Sequence, residues 1–172
     1  HPTGFSLALA CDFRIASQSA KMGSATLRFG LLPDEGGQWL LVQHLGVAKA
    51  MDFMMRKRIV DAETAHELGL VHEVVPDDGL MDAALELARE LAGGPQVAMR
   101  MLKRSIHLAA ELTWGQSLDE IAAKTAVTDH LPDAREGATA FIEKREAQFN
   151  GWLEGRTEPS MDGPAPWEPD SE

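Results

Sequence analysis

From residue 78 to residue 149 the apolar residues recur only at helical spacing, and this run constrains the fold more than any other feature. Leu80, Ala84, Leu87, Ala88 and Leu91 share one helical face until Gly93-Gly94-Pro95 breaks the pattern. Ala98 to Ala109, Leu118 to Thr125 and Ala134 to Phe149 predict three more helices. The first half reads differently. Phe5 to Cys11, apolar nearly all round, predicts a buried helix after the Gly4 turn, and Asp12–Ala16 alternates like a short strand. Lys21-Met22-Gly23 predicts a second strand, Val71–Val75 a third. Between them, one helix stops at Gly46, another runs from Ala48 to Arg58, and a short one is capped by Asp61 and ended by Gly69. The pattern is that of an α/β core followed by helices. Gly151–Glu172, with its prolines and acids and little apolar periodicity, reads as a disordered acidic tail.

The chain has 172 residues and a net charge of −11. That field repels nucleic acid and anionic membrane, and any phosphate site must be a local basic cluster. No apolar run is long enough to cross a bilayer, and no signal-peptide layout is present. Cys11 is the only cysteine, which excludes an intrachain disulfide and suits a reducing, cytoplasmic setting. Histidines at ligand spacing are missing, as are a nucleophile elbow and a P-loop, so no metal site is expected. The chain opens directly into an apolar stretch, with no strand or cap leading in, and reads as N-terminally truncated.

Pro33-Asp34-Glu35-Gly36-Gly37 is the most informative short stretch. Asp34 stands between apolar residues, Phe29, Leu31 and Leu32 before it and Trp39 and Leu40 after. A carboxylate desolvated there would hold its proton more tightly and could shuttle protons near neutral pH. An Asp after Pro and before a helix is equally an N-cap, and Glu35 could serve either as a rival base or as a charge on the helix N-terminus. Ser6 admits a nucleophile reading or plain packing at a helix start. Arg56-Lys57-Arg58 and Lys144-Arg145 could attract phosphate or simply be solvated helix ends.

Taken together, these segments resemble one family. Gly4 to Ala16, Gly30-Leu31-Leu32-Pro33-Asp34-Glu35-Gly36-Gly37, Leu45 to Met51, Asp61 to Val71 and Arg135 to Phe149 follow the order of the enoyl-CoA hydratase/isomerase (crotonase) superfamily. The resemblance implies a β-β-α spiral, here its C-terminal portion over residues 1–77. It also implies a helical oligomerisation and CoA-contact region over 78–150, then the tail over 151–172. It implies an acyl-CoA substrate, no cofactor beyond the coenzyme A of that substrate, and a homotrimer or dimer of trimers. Members hold a thioester enolate between two backbone N–H groups, one of which corresponds to that of Thr3 while the other lies upstream. The two glutamates of the hydratases are matched by Ser6 and Thr26, which cannot act as carboxylate bases. Isomerases of the superfamily place an aspartate at the position of Asp34, and the run through Trp39-Leu40-Leu41 resembles the epoxyphenylacetyl-CoA isomerase type. The resemblance therefore favours a double-bond isomerase with Asp34 as proton shuttle and Glu35 as the weaker candidate. Phe29, Leu31 and Trp39 would face the substrate, and Phe141, Lys144 and Arg145 the coenzyme A. A thioester or C–C hydrolase and a non-catalytic acyl-CoA-binding subunit are the rival expectations. Arg56-Lys57 replaces the family's usual Thr-Gly, which leaves the local backbone there open.

Overall fold

The computed structural model describes residues 2–33 and 36–153, with side chains from residue 4 onward. The chain divides into two compact units, His1–Ala88 and Arg89–Glu172.

In the first unit, α1 (Pro2–Ala10) leads to β1 (Ile15–Ser17) and β2 (Lys21–Gly23), and a 3₁₀ turn follows at Thr26–Phe29. Then come α2 (Gly37–Met55), β3 (Ile59–Asp61), α3 (Ala62–Glu67) and β4 (Glu73–Val75). β1 pairs in parallel with β4, Ala16 opposite Val74, and β2 pairs antiparallel with β3, Met22 opposite Val60. The core gathers Phe5 and Leu9 of α1, Leu41 and Phe53 of α2, and Ala62 and Leu70 around α3.

Several expectations change at the edges. α1 buries Phe5, Ser6 and Leu9, but Leu7 is 67% exposed. At about 100° per residue, positions 5 and 9 share a face and position 7 lies opposite, so a uniformly apolar helix still buries one stripe. β1 starts at Ile15 rather than Asp12 because Arg14 is diverted into a latch. Its backbone N–H donates to His72 Nδ1 at 3.1 Å, and its guanidinium donates to the carbonyls of Leu70 and Cys11, each at 2.6 Å. A side chain here replaces a ladder bond, which also delays β4 until Glu73. β3 carries no sequence signal of its own; three residues become a strand only through β2. The sheet is tight there, since a Cβ on Gly23 would stand 2.4 Å from the Arg58 carbonyl oxygen.

α2 is bent where the sequence divides it in two: Gly46 adopts φ 72°, ψ 165°, left-handed backbone that favours glycine. Three helices end in the same Schellman-type closure. Leu70 N–H reaches Ala65 O at 2.8 Å across Gly69, Arg58 N–H reaches Phe53 O at 3.0 Å across Lys57, and Arg145 N–H reaches Ala140 O at 3.1 Å across Lys144. Lys57 and Lys144 thus stand in left-handed backbone, φ 53° and 55°, where α3 uses Gly69. Position 57 therefore has a glycine-like backbone geometry although lysine occupies it.

In the second unit, the end of α4 (Leu80–Gly93) is followed by α5 (Gln96–Ala109), α6 (Trp114–Thr128) and α7 (Pro132–Glu143). A capping box between Thr113 and Gln116 starts α6. The last helix stops at Glu143 rather than Phe149, since Lys144 turns the chain out of the helix. Beyond it Asn150 pins the segment: its N–H donates to Asp133 at 2.8 Å, its Oδ1 accepts from Gln96 N–H at 3.0 Å, and its Nδ2 donates to Gly94 O at 2.9 Å. Gly151–Leu153, expected within the acidic tail, form a 3₁₀ turn, and the remainder of that tail lies outside the described residues. Among the described residues no helix is long and apolar enough to cross a membrane.

Candidate active site

α1 begins after no described cap, and Thr3 lies in its first turn. The first N–H groups of a helix have no acceptor within it and carry the positive end of its dipole, so the Thr3 N–H is chemically suited to receive an oxyanion.

The second element is the segment from Ser24 to Gly37. After β2 the hydroxyls of Ser24 and Thr26 lie 3.0 Å apart, and the 3₁₀ turn closes at Gly30 with φ 70°. Phe29 is 76% exposed, Leu31 and Leu32 are exposed too, and Pro33 is buried. Asp34 and Glu35 lie outside the described residues. The chain resumes at Gly36, left-handed at φ 83°, and enters α2 at once, with Leu40 N–H bonded to Gly36 O at 3.1 Å. Trp39, 59% exposed, is in the first turn of α2. The described neighbours of Asp34 and Glu35 in the chain are a buried proline and a left-handed glycine, and Phe29, Leu31 and Trp39 nearby in sequence are exposed apolar side chains. Ser6 is buried on the face of α1.

In the second unit, Phe141 is 85% exposed near the end of α7 and Lys144 is exposed beside it. Arg145 is differently engaged. Its guanidinium donates to Glu136 at 2.6 and 3.0 Å, to Glu143 at 2.6 Å and to the Glu146 carbonyl at 3.1 Å. The Arg145 hydrogen bonds, joined by the Gln148 N–H, hold the Glu136 carboxyl down at about 2, and Glu136 in turn raises the pKa of Arg145. A guanidinium so occupied fixes the end of α7, whereas Lys144 presents its ammonium to solvent. The basic run 56–58 is likewise partly neutralised: Asp52 pairs with Arg56 at 3.2 Å and Arg58 at 2.8 Å. Arg28 donates to the Lys57 carbonyl at 3.1 Å. Of two open surface clefts, one of about 470 Å³ beside His130 and Arg135 includes none of the candidate residues, and one of about 430 Å³ beside Lys49 and Leu68 includes only Arg58 of the basic run 56–58.

Sequence reasoning did not single out His44. Its Nε2 lies 2.9 Å from the Leu9 carbonyl oxygen, joining α2 to the end of α1. A lone histidine in an apolar helix carries no motif, so only the contact reveals it.

Known proteins resemble this chain in sequence and in fold. The chain is 40% identical over 148 residues to the 1,2-epoxyphenylacetyl-CoA isomerase of Escherichia coli K12, covering 86% of this chain and 56% of that protein. It is 36% identical over 154 residues to the mitochondrial methylglutaconyl-CoA hydratase of Rattus norvegicus, covering 86% and 48%. Among solved structures, an enoyl-CoA hydratase from Polaromonas sp. JS666 superposes with a TM-score of 0.81 at 34% identity, over 86% of this chain and 58% of that one. One from Bacillus anthracis gives 0.80 at 34%, over 84% and 56%. These are crotonase folds, and the chain spans about half the length of the curated relatives it matches. The sequence model of the enoyl-CoA hydratase/isomerase family matches residues 2–152, and the chain belongs to that family.

Proposed function

We propose that the protein is an isomerase that moves a double bond in an unsaturated acyl-CoA through a thioester enolate, with Asp34 as the proton shuttle. The observation that carries this reading is the sequence Pro33-Asp34-Glu35-Gly36-Gly37, which has apolar residues on both sides in the chain and ends where Gly37 starts α2. With a 3-enoyl thioester, Asp34 takes a proton from C2 and the C–H electron pair enters a dienolate. The negative charge rests on the thioester oxygen, where the Thr3 N–H and a second donor receive it; preorganised donors at such a charge supply much of the rate. Asp34 then returns the proton to C4, leaving the double bond between C2 and C3. No water is added, so one carboxylate suffices. Glu35 is the weaker candidate for the same task.

Phe29, Leu31 and Trp39 would bound the acyl group, and Phe141 and Lys144 would meet the coenzyme A, with Arg145 holding the end of α7. We place the assembly as a homotrimer or dimer of trimers in the cytoplasm.

Hydration is the second reading, favoured by the hydratase names among the relatives. Ser6 and Thr26 oppose it: a hydroxyl does not take up a proton near neutral pH as a carboxylate does, and syn-addition of water needs an acid and a base. Product analysis separates the cases. Isomerisation leaves the mass of a 3-enoyl-CoA unchanged and releases no thiol, hydration adds one water, and thioester hydrolysis frees the coenzyme A thiol. A product of altered mass as the sole outcome would defeat the isomerase reading.

A further inference from the structure

α1 packs against α2 on both sides of the Gly46 bend. Beyond the bend, the Phe53 ring stacks on Phe5 with centroids 5.9 Å apart and planes 12° from parallel. Before the bend, His44 Nε2 meets the Leu9 carbonyl oxygen at 2.9 Å. Leu9 is in the last turn of α1, where carbonyls have no donor within the helix. A carbonyl only accepts, so the imidazole nitrogen facing it carries the hydrogen whether the ring is neutral or charged.

The two contacts do different things. Stacked rings hold the helices together but resist sliding weakly, because apolar contact is non-directional. A hydrogen bond is directional in both distance and angle. His44 supplies a side-chain hydrogen bond from α2 to α1, with the apolar Leu40, Leu41, Val42 and Leu45 beside it in sequence.

We propose that His44 is a positioning residue: through the Leu9 carbonyl it sets the axial placement of α1 and so the aim of the Thr3 N–H at the helix's other end. The proposal rests on the reading that this N–H receives the enolate oxygen. Thr3 and Leu9 are six residues apart, about 9 Å along a rigid helix. A displacement at one end is therefore carried to the other, and about 1 Å of misplacement at a reacting centre costs about a hundredfold in rate.

The test compares the parent, His44→Leu and His44→Gln in protein expressed from the complete coding sequence. Gln reaches its Nε2 through the same number of bonds as His and restores the donor without a ring or a charge. His44→Leu should lower kcat for 3-enoyl-CoA isomerisation by about tenfold to a hundredfold with KM within about twofold, and His44→Gln should recover most of it. Amide hydrogen exchange over Phe5–Ala10 reads the grip without turnover, and should speed up by about tenfold in His44→Leu only. Asp61→Ala, which removes the N-cap of α3, should lower the melting temperature and leave kcat unchanged. Unchanged exchange in His44→Leu overturns the proposal, as does faster exchange with unchanged kcat, or an equal kcat loss in Asp61→Ala. If the parent does not isomerise at all, the isomerase reading falls by itself, and the exchange arm still decides whether His44 holds α1.

Discussion

The guanidinium of Arg145 is gripped by both carboxylate oxygens of Glu136, at 2.6 and 3.0 Å, and the Gln148 N–H donates to the same carboxylate at 2.8 Å. These bonds favour the charged carboxylate and draw its pKa from 4.5 to about 2. A depressed folded-state pKa means that the contribution is fully present above the unfolded value and is lost as pH falls through the folded one. The melting temperature should therefore separate the parent from Glu136→Gln at neutral pH, with the gap closing between pH 4.5 and about 2. A gap independent of pH across that window would remove the electrostatic account of how α7 ends.

Lys57 occupies left-handed backbone at the closure of α2, with φ 53°. Its Cβ makes that conformation unfavourable, while glycine adopts it freely. Lys57→Gly should raise stability by about 1 kcal/mol, less whatever glycine's looser unfolded chain returns. Chemical denaturation reads the midpoint directly; a lower midpoint would mean that the Lys57 side chain contributes something the backbone argument omits.

Asn150 joins Gly94, Gln96 and Asp133 in the second unit, and its φ of 69° is one that asparagine tolerates. Asn150→Ala should cost about 3 kcal/mol, from two lost side-chain hydrogen bonds and the left-handed backbone. Asn150→Gly keeps the backbone and should cost about 2 kcal/mol. Equal losses in the two variants would show that the backbone preference contributes nothing.

Lys144 and Arg145 are adjacent in sequence but differ in engagement, and their variants should separate. Under the proposed function Lys144→Ala should raise KM for an acyl-CoA by about tenfold, equivalent to about 1.4 kcal/mol, with the melting temperature unchanged. Arg145→Ala should instead lower the melting temperature, because it strands Glu136 and Glu143 beside each other. If both variants changed only KM, the guanidinium would be serving the substrate rather than the end of α7.

Much of this architecture was legible in the residues. Gly46 marked the bend in α2, Asp61 and Gly69 bounded α3, and the helical spacing after residue 78 located the helices of the second half. What escaped depended on partners distant in sequence. β3 exists only by pairing with β2, β1 is shortened by the Arg14–His72 latch, and the bond between His44 and Leu9 spans 35 positions. The end of α7 was overrun because Lys144 is an ordinary helix residue by propensity, and only the Schellman-type closure puts it in left-handed backbone. At the site the residue types could be read, but their use could not: Lys144 and Arg145 look alike in sequence, and only the carboxylates around Arg145 distinguish them.

The proposed transfer of a proton by Asp34 between two carbons of an acyl thioester can be followed optically. Mixing a 3-enoyl-CoA with the protein expressed from its complete coding sequence, beside Asp34→Asn, and following the ultraviolet absorbance of the conjugated 2-enoyl thioester tests it directly. The parent should conjugate the substrate, and Asp34→Asn should do so about a hundredfold to ten-thousandfold more slowly, the usual range for a lost general base. Equal rates in the two proteins, or no conjugation by either, would contradict the proposed transfer.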